Sequence, residues 1–291
     1  MHQPPDGNVG AGAAPSVNSI RQCRPLLGTY VEIHIAADED DDALLNRSLA
    51  AFDEIGRIQR LMSFHDPESE LTRINQTAHL EAVEICHDLW HVLSFARELY
   101  LKSGGFFDPT IAPELVRRGL LPDHGSALEC GSNLSSVLLT ENTVKFSKPL
   151  QIDLGGIAKG YAVDRAITII GDDVDATVNA GGDLAMTRWQ GRDVEIRTPG
   201  SGGRDTVTMP MENRCLATSA AYFLEDQHVI LDPHDRLPFA GKQSASVFAS
   251  TCMVADALTK VALLMPDPAA VLWNFDAIGF IIGLEDVVKR L

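Results

Sequence analysis

Residues 152–165 have the sequence Ile-Asp-Leu-Gly-Gly-Ile-Ala-Lys-Gly-Tyr-Ala-Val-Asp-Arg, and they decide how the rest of the chain is interpreted. The pattern predicts a strand that delivers Asp153, a tight turn at two glycines, and a helix with Lys159 in its opening turns. Glycines let the phosphates of a ligand approach the backbone closely, and a helix N-terminus offers N–H donors and partial positive charge. The segment is neither a G-x-G-x-x-G nor a Walker A sequence, and alone such a turn is more often a tight connection than a binding site.

Three other segments change that assessment. Residues 104–110 place two phenylalanines beside a carboxylate and a hydroxyl, and residues 178–183 form a second predicted strand that ends in a glycine turn. On a predicted helix, Asp256 and Thr259 are three residues apart and share one face. A carboxylate and a hydroxyl are hard oxygen ligands of the kind that Mg²⁺ takes. The four segments together predict a site for an anionic ligand and a metal ion.

Hydrophobic periodicity and turn residues predict a mixture of helices and strands without a regular strand–helix–strand alternation. The predicted helices are 43–62, 84–103 (ending at Gly104-Gly105), 159–170 and 253–265. The predicted strands are 29–35, 136–139, 143–146, 176–178, 193–197 and 244–250. This pattern favours an α+β fold, a single compact domain with two lobes over residues 21–291. Residues 1–20, poor in large apolar groups, are expected to be a disordered tail.

The net charge excludes some classes of protein. The chain has 24 Lys plus Arg against 40 Asp plus Glu, a formal charge of −16. Such a protein repels polyphosphates at long range, so general binding to nucleic acid or to anionic membranes is not expected. An anionic small molecule would have to bind through a local device such as a metal ion, a helix N-terminus or a cluster of backbone N–H groups.

The N-terminus and the cysteines predict a cytoplasmic protein. The first twenty residues contain no Lys or Arg and no apolar run of secretory length, and no later apolar stretch reaches the ~20 residues of a membrane-spanning helix. The five cysteines are widely spaced, and no pair has the C-x-x-C form. Free thiols in a reducing compartment are therefore expected, and neither a zinc site nor a disulfide framework is predicted.

Over about residues 26–265, the sequence resembles the ApbE family, the FAD:protein FMN transferases. The resemblance rests on eight motifs in the family's order: Leu27-Gly28-Thr29, Met62 with Ser69-Glu70-Leu71, Phe107-Asp108-Pro109-Thr110, Asp153 to Tyr161, Asn179 to Asp183, Ala217-Thr218-Ser219, His228 with Asp232-Pro233, and Ala255-Asp256-Ala257-Leu258. It implies the ApbE, T-fold-like architecture, with mixed or antiparallel sheets packed against helices. It also implies an enzyme that splits the FAD pyrophosphate, places FMN on a Thr or Ser of an acceptor protein and releases AMP.

The resemblance also implies roles for particular residues. His228 would be the catalytic base that takes the proton of the incoming hydroxyl. Mg²⁺ would be held by the backbone carbonyl near Gly156 and by Asp256, with Thr259 as a further ligand, and it would neutralise the pyrophosphate and stabilise the leaving oxygen. The residues expected to line the flavin nucleotide are Leu27, His65, Phe107, Asp108, Thr110, Asp153, Lys159 and Ile230.

Several positions depart from the family pattern. Members commonly have a carboxylate and a hydroxyl four residues apart at the metal, whereas the fourth position after Asp256 is Lys260. Thr259 could still reach the ion, or the Lys260 ammonium could occupy the metal site and bind phosphate directly. Residues 234–238 replace the usual short Thr-Gly turn, and Ala220 and His65 stand where a glycine and an aromatic residue are common.

Three functions therefore follow from the sequence. The first is Mg²⁺-dependent transfer of FMN from FAD to a protein hydroxyl. The second is a catalytically silent FAD-binding protein, which the lysine at position 260 favours. The third is an FAD pyrophosphatase that gives FMN and AMP, and it differs from the first only in whether water or a hydroxyl enters.

Overall fold

Helices and strands follow each other irregularly in the computed structural model, which describes residues 17–125, 132–199, 204–220, 230–285 and 287–291. The helices are α1 (Asp41–Met62), α2 (Glu70–Thr77), α3 (His87–Lys102), α4 (Ala112–Arg117), α5 (Ala158–Ile170), α6 (Cys252–Leu264) and α7 (Ala269–Asn274). The strands are β1 (Asn18–Leu26), β2 (Thr29–Ala37), β3 (Val83–Glu84), β4 (Val137–Leu139), β5 (Thr143–Phe146), β6 (Asp175–Ala180), β7 (Asp183–Met186), β8 (Asp193–Arg197), β9 (Thr206–Pro210), β10 (Cys215–Ala220), β11 (Ser244–Ala249), β12 (Ile278–Ile282) and β13 (Val288–Arg290).

The main sheet has eight strands in the order β1-β2-β6-β7-β10-β11-β12-β13, and every neighbouring pair is antiparallel. A three-stranded sheet β3-β5-β4 and a ribbon β8-β9 complete the strands of the described residues, both antiparallel. The predicted α+β fold with antiparallel sheets is therefore confirmed. Strand β1 begins at Asn18, so residues 18–20 belong to the sheet and the assignment of these three residues to a tail was wrong.

Side chains alternate between the two faces of the main sheet, as the twofold period of a strand requires. Val31, Ile33 and Ile35 of β2 are fully buried on the face that packs against the helices. On the opposite face, Leu216 and Phe248 join a smaller apolar cluster beneath the β8-β9 ribbon. The sheet is therefore a middle layer, with helices α1, α5 and α6 on one side and the ribbon on the other.

The capping residues of α1 and α3 explain where the predicted helix boundaries agree with the structure and where one differs. Asp40 caps α1, since its Oδ1 accepts from the N–H of Ala43 at 2.7 Å, and acidic residues follow in the first turn. Helix α3 ends before Gly104 and Gly105, whose φ angles of 64° and 89° lie in the left-handed region that favours glycine. Its start differs from the prediction of residue 84, because Cys86 is the N-cap and His87 the first helical residue.

The sequence predicted neither a membrane-spanning helix nor a disulfide framework. In the part of the chain that the structure describes, no helix combines the length and apolar character needed to cross a bilayer. Cys23, Cys86, Cys215 and Cys252 are free thiols, as expected. Cys130 lies outside the described residues.

Candidate active site at the crossing of two helices

Helices α5 and α6 cross in close contact because position 160 is a glycine. A Cβ atom on Gly160 would lie 2.3 Å from the carbonyl oxygen of Cys252 and 2.9 Å from the Cβ of Asp256. One turn further along α5, the carboxylate of Asp164 accepts from the N–H groups of Cys252 and Met253 at 2.7 and 2.8 Å. These two contacts fix the start of α6 against α5 and bring Asp256 to the opening turn of α5.

Asp256 is fully buried and lies at the centre of the site. Its Oδ2 accepts from the Gly160 N–H at 3.2 Å and lies 3.4 Å from the Lys159 Nζ, while its Oδ1 is paired with the Lys260 ammonium. Burial alone raises the pKa of a carboxyl, but the ammonium groups of Lys159 and Lys260 hold the pKa of Asp256 below its usual value. Asp256 is therefore ionised and has cationic partners on both oxygens.

Lys159 links Asp256 to the turn between β6 and β7. Its Nζ lies 2.9 Å from Oδ2 of Asp183, the first residue of β7. Burial lowers the pKa of Lys159, but the carboxylates of Asp183 and Asp256 outweigh it and raise that pKa above its usual value. For Asp183 the balance is reversed: burial and the nearby charge of Asp256 raise its pKa, although Lys159 opposes them. Lys159 is thus a fixed cation between two buried carboxyl groups.

Lys260 lies over the glycine turn that precedes α5. A Cβ atom on Gly156 would be 3.4 Å from the Cε of Lys260 and 3.7 Å from an edge atom of the Phe107 ring. The Lys260 Nζ also donates to the carbonyl oxygen of Asp256 at 2.9 Å. The aliphatic part of Lys260 and the Phe107 ring therefore both border the turn at Gly155-Gly156.

A second turn, at Asp108, directly follows Phe107 and also borders the site. Asp108 Oδ1 accepts from the backbone N–H of Thr110 at 2.9 Å and from its hydroxyl at 2.8 Å. The N–H of Asp153 donates to the carbonyl oxygen of Pro109 at 2.9 Å, which joins this turn to the strand end that precedes Gly155. Burial raises the pKa of both Asp108 and Asp153. The expected proximity of Phe107, Asp108, Thr110, Asp153 and Lys159 is therefore present in the structure.

The other predicted ligand-contacting residues lie around this centre. Leu27 and Gly28 form a two-residue hairpin turn, with φ angles of 57° and 70°. That hairpin packs on the turn before Asp183, since a Cβ atom on Gly181 would be 2.5 Å from the Thr29 hydroxyl. His65 is exposed and lies near Asp153, and Ile230 is half-buried against the main core. His228, the predicted base, lies outside the described residues.

The side chains around Asp256 do not fit the predicted Mg²⁺ site. The ammonium of Lys260 is paired with Oδ1 of Asp256, and its stem covers Gly156. The Thr259 hydroxyl donates to the carbonyl oxygen of Asp256 at 2.6 Å and lies 2.7 Å from the Ser219 hydroxyl. Among the described residues, no group of three or more His, Cys, Asp or Glu side chains could hold a metal ion. Of the two arrangements that the sequence left open, the contacts match the one in which the Lys260 ammonium lies on Asp256.

The segment after Pro233, which departs from the family pattern, docks on the loop of residues 104–110. The His234 ring lies 3.2 Å from the Gly104 carbonyl oxygen and 4.4 Å, centroid to centroid, from the Phe106 ring. Arg236 donates to the carbonyl oxygens of Ser132 at 2.8 Å and Thr110 at 3.5 Å. These contacts join residues more than a hundred positions apart, and nothing in the local sequence of either segment indicates them.

The ApbE family model matches residues 27–277. A protein named FAD:protein FMN transferase from Klebsiella pneumoniae (strain 342) is 24% identical over 233 residues, 72% of each chain. A protein of the same name from Treponema pallidum (strain Nichols) is 25% identical over 272 residues, which cover 80% of this chain and 72% of the relative.

Solved structures have the same fold. The ApbE protein from Thermotoga maritima superposes with a TM-score of 0.78 at 26% identity, covering 94% of this chain and 97% of that one. The flavin transferase ApbE from Vibrio cholerae gives a TM-score of 0.79 at 20% identity and covers 95% and 97% of the two chains. The eight-stranded sheet with its helical layer is therefore an architecture shared over nearly the whole chain.

Proposed function

The chain belongs to the ApbE family, and from that membership and the geometry at the α5–α6 crossing we propose that it transfers FMN from FAD to a hydroxyl group of an acceptor protein. The observation that carries the proposal is the placement of two ammonium groups, Lys159 and Lys260, beside the glycine turn of a chain whose net charge is −16. A local concentration of positive charge in so acidic a protein is suited to a pyrophosphate.

The residues around the turn suit the rest of a flavin nucleotide. Gly155 and Gly156 place no side chain of their own between the backbone and a phosphate, and the Lys260 stem and the buried Phe107 ring lie next to them. Asp108 and Asp153 lie on connected turns and can accept hydrogen bonds from a polar ligand. Mg²⁺ is left out of the proposal, because the side chains at Asp256 do not fit it.

The proposed reaction is a phosphoryl transfer. The oxygen of an acceptor Thr or Ser hydroxyl attacks the phosphorus on the FMN side of the pyrophosphate and forms a phosphoester bond. The bond from that phosphorus to the bridging oxygen breaks, and AMP leaves with that oxygen. The hydroxyl proton passes to a base, for which the family resemblance points to His228. Lys159 and Lys260 balance the negative charge that develops on the bridging oxygen.

A second candidate function is supported by one observation. Lys260 is a point charge, and it can hold a pyrophosphate without aligning it for cleavage. A protein that binds FAD and leaves it intact would use the same site. The experiment has to separate transfer, hydrolysis and silent binding.

The test uses the purified full chain with FAD and protein extract from the encoding organism lacking this gene. The expected result is a fluorescent protein band that survives denaturation, a Thr- or Ser-linked FMN adduct by mass spectrometry, and AMP in the same amount. Replacing His228 with Ala is expected to abolish the adduct while FAD still binds. FMN and AMP without an adduct would show a pyrophosphatase, and bound but intact FAD would show a silent carrier, so either result would overturn the proposal.

A further inference from the structure

Lys260 is held at the site from two sides. It follows Asp256 by four residues, which places both side chains on the same face of α6. Its ammonium is paired with Oδ1 of Asp256 and donates to that residue's carbonyl oxygen at 2.9 Å, while its Cε would touch a Cβ atom on Gly156 at 3.4 Å. Its side chain is 17% exposed. The charged end is thus anchored on α6, and the stem fills the space above the glycine turn.

The charges of the site leave little attraction for another cation. Within the described residues, the ion pairs at the crossing join Asp256 and Asp183 to Lys159 and Lys260, so each of these two carboxylates already has an ammonium partner. A divalent cation at Asp256 would need the Lys260 ammonium to leave, since two cations within a few ångströms repel each other strongly where water is excluded. The Thr259 hydroxyl is held by hydrogen bonds to the Asp256 carbonyl oxygen and to Ser219, which fix it on these two partners.

We propose that Lys260 replaces a divalent cation in this chain, so that FAD binds through the ammonium groups of Lys260 and Lys159 with no metal ion at Asp256. The inference rests on the proposed function only for the identity of the ligand, a flavin dinucleotide with a doubly charged pyrophosphate. One position then determines the dependence on metal: with threonine at 260, Asp256 loses its tethered cation and regains a hydroxyl at the spacing of four residues that a metal site uses.

The first experiment measures metal binding without flavin. Mn²⁺ is titrated into the purified apoprotein and free Mn²⁺ is followed by electron paramagnetic resonance. In the wild type, Mn²⁺ binding is expected to be the same with and without Asp256→Asn. Lys260→Thr is expected to bind one Mn²⁺ ion, which Mg²⁺ displaces and which is lost when Asp256→Asn is added. Tight Mn²⁺ binding by the wild type that Asp256→Asn abolishes would overturn the proposal, as would a Lys260→Thr protein that binds none.

A matched control comes from another helix. Lys102 pairs with Glu98 at 2.9 Å across the same four-residue spacing on α3, but both side chains are well exposed. Lys102→Thr is expected to leave metal binding unchanged. If Lys260→Thr does not fold, as judged by circular dichroism, Lys260→Gln keeps an unbranched polar side chain of nearly the same length and removes its charge, and the second experiment is made with that variant.

The second experiment measures FAD affinity by flavin fluorescence, in EDTA and in excess Mg²⁺. The wild-type dissociation constant is expected to be the same in both, because its cation is part of the chain. In EDTA, Lys260→Thr and Lys260→Gln are expected to bind FAD about tenfold or more weakly, and Mg²⁺ is expected to restore only the threonine variant. Wild-type FAD binding that EDTA abolishes would overturn the proposal.

The two experiments separate this inference from the proposed function. If FAD binds under no condition, the proposed function fails, and the part of the inference that concerns the pyrophosphate fails with it. The Mn²⁺ titration contains no flavin, so it still decides whether Lys260 excludes a cation from Asp256. If FAD binds without metal but no acceptor is modified, the inference stands and the transferase proposal fails.

Discussion

Helix α5 makes charged contacts with neighbours on two sides, and the two sets of contacts differ in burial. Toward α6 it contributes to the site network, which consists of Lys159, Asp183, Asp256 and Lys260. Toward α1 and α3 it contributes to the scaffold network. The scaffold network consists of Glu54, Arg57, Asp88, Tyr161 and Arg165.

The exposed fractions of the side chains show what separates the networks. The carboxylates of the site network, Asp256 and Asp183, are 1% and 4% exposed, whereas those of the scaffold network, Glu54 and Asp88, are 12% and 16% exposed. The cations are more exposed in both networks, from 17% for Lys260 to 42% for Arg57. A buried charge is costly without a partner, whereas an exposed one is solvated whether or not it is paired. Replacing a partner in the site network by a charged ligand therefore changes the free energy strongly. The scaffold network mainly holds α1, α3 and α5 together.

The largest expected effect tests this difference directly. Asp256→Ala leaves the ammonium groups of Lys159 and Lys260 without their shared partner, and breaking a buried ion pair costs about 3–5 kcal/mol. Glu54→Ala, which removes the carboxylate shared by Arg57 and Arg165, is expected to cost about 1 kcal/mol. Urea unfolding of the two variants measures both values. Equal losses of stability would show that burial does not distinguish the networks.

The next effect concerns the helix crossing that creates the site network. Gly160→Ala places a methyl group 2.3 Å from a backbone oxygen that cannot move independently, and overpacking of this kind costs about 1–3 kcal/mol. Gly56→Ala on α1 is the control, because its Cβ would meet only the tip of the Arg60 side chain at 3.4 Å, and alanine favours a helix. Thermal unfolding and FAD affinity are the measurements. A Gly160→Ala protein as stable as Gly56→Ala would contradict the crossing geometry.

The two sides of α5 are also expected to differ in their response to pH. Burial raises the pKa of Asp164 to about 7 from an ordinary 3.8, so between about pH 4 and 7 the folded chain keeps a proton that the unfolded chain has released. Raising the pH therefore lowers the free energy of unfolding. In the scaffold network, a hydrogen bond from Arg57 lowers the pKa of Glu54 to about 2 from 4.5, so stability is lost as the pH falls through that lower range.

Two variants separate these slopes in urea titrations from pH 2.5 to 8. In Asp164→Asn, the free energy of unfolding is expected to fall less steeply toward neutral pH, because the folded chain no longer holds that proton. The fall that remains comes from other carboxyl groups whose pKa is raised by burial, such as Asp108 and Asp153. Glu54→Gln is expected to weaken only the loss at acidic pH. A wild-type protein whose stability rises from pH 5 to 7 would contradict the assignment for Asp164.

The smallest expected effect is that of Arg165→Ala. Its guanidinium lies 3.0 Å from Glu54 and is well exposed, so its removal is expected to cost less than about 1 kcal/mol. FAD affinity is expected to stay at the wild-type value, since Arg165 pairs with Glu54 of α1 and Asp88 of α3 rather than with the residues at the glycine turn. Calorimetric titration with FAD checks this, and a several-fold loss of affinity would show that the two networks are coupled.

The sequence predicted the parts of the fold that depend on local patterns. Helix α5 was placed within one residue of its observed start, because a glycine turn precedes it and apolar residues recur at helical spacing. Strand β5 was placed at its observed bounds. Strands β10 and β12 were not predicted, because their stretches Cys215–Ala220 and Ile278–Ile282 lack the clear alternation of apolar and polar residues that marks a half-buried strand.

The site was predicted in composition but not in its contacts. The spacing of four residues already placed Lys260 on the face of Asp256, yet its position over Gly156 depends on how closely α5 and α6 cross. That distance is set by Gly160, nearly a hundred residues away from its partners in α6. Docking of Arg236 on Ser132 is likewise a tertiary contact with no local pattern to predict it. The sequence identifies the charged residues, whereas which distant charges pair depends on how the helices and loops pack.

The order of strands in the main sheet has a consequence for the growing chain. Strand β2 pairs with β1 through a two-residue turn, but its other edge pairs with β6, which follows residues 38–174. At about 5–20 residues per second, the ribosome needs roughly seven to thirty seconds to deliver that partner. During this interval the outer edge of β2 stays unpaired, although α1, which follows it directly, can already pack on its apolar face. The open edge of this nascent hairpin therefore gives chaperones that interval in which to compete with folding.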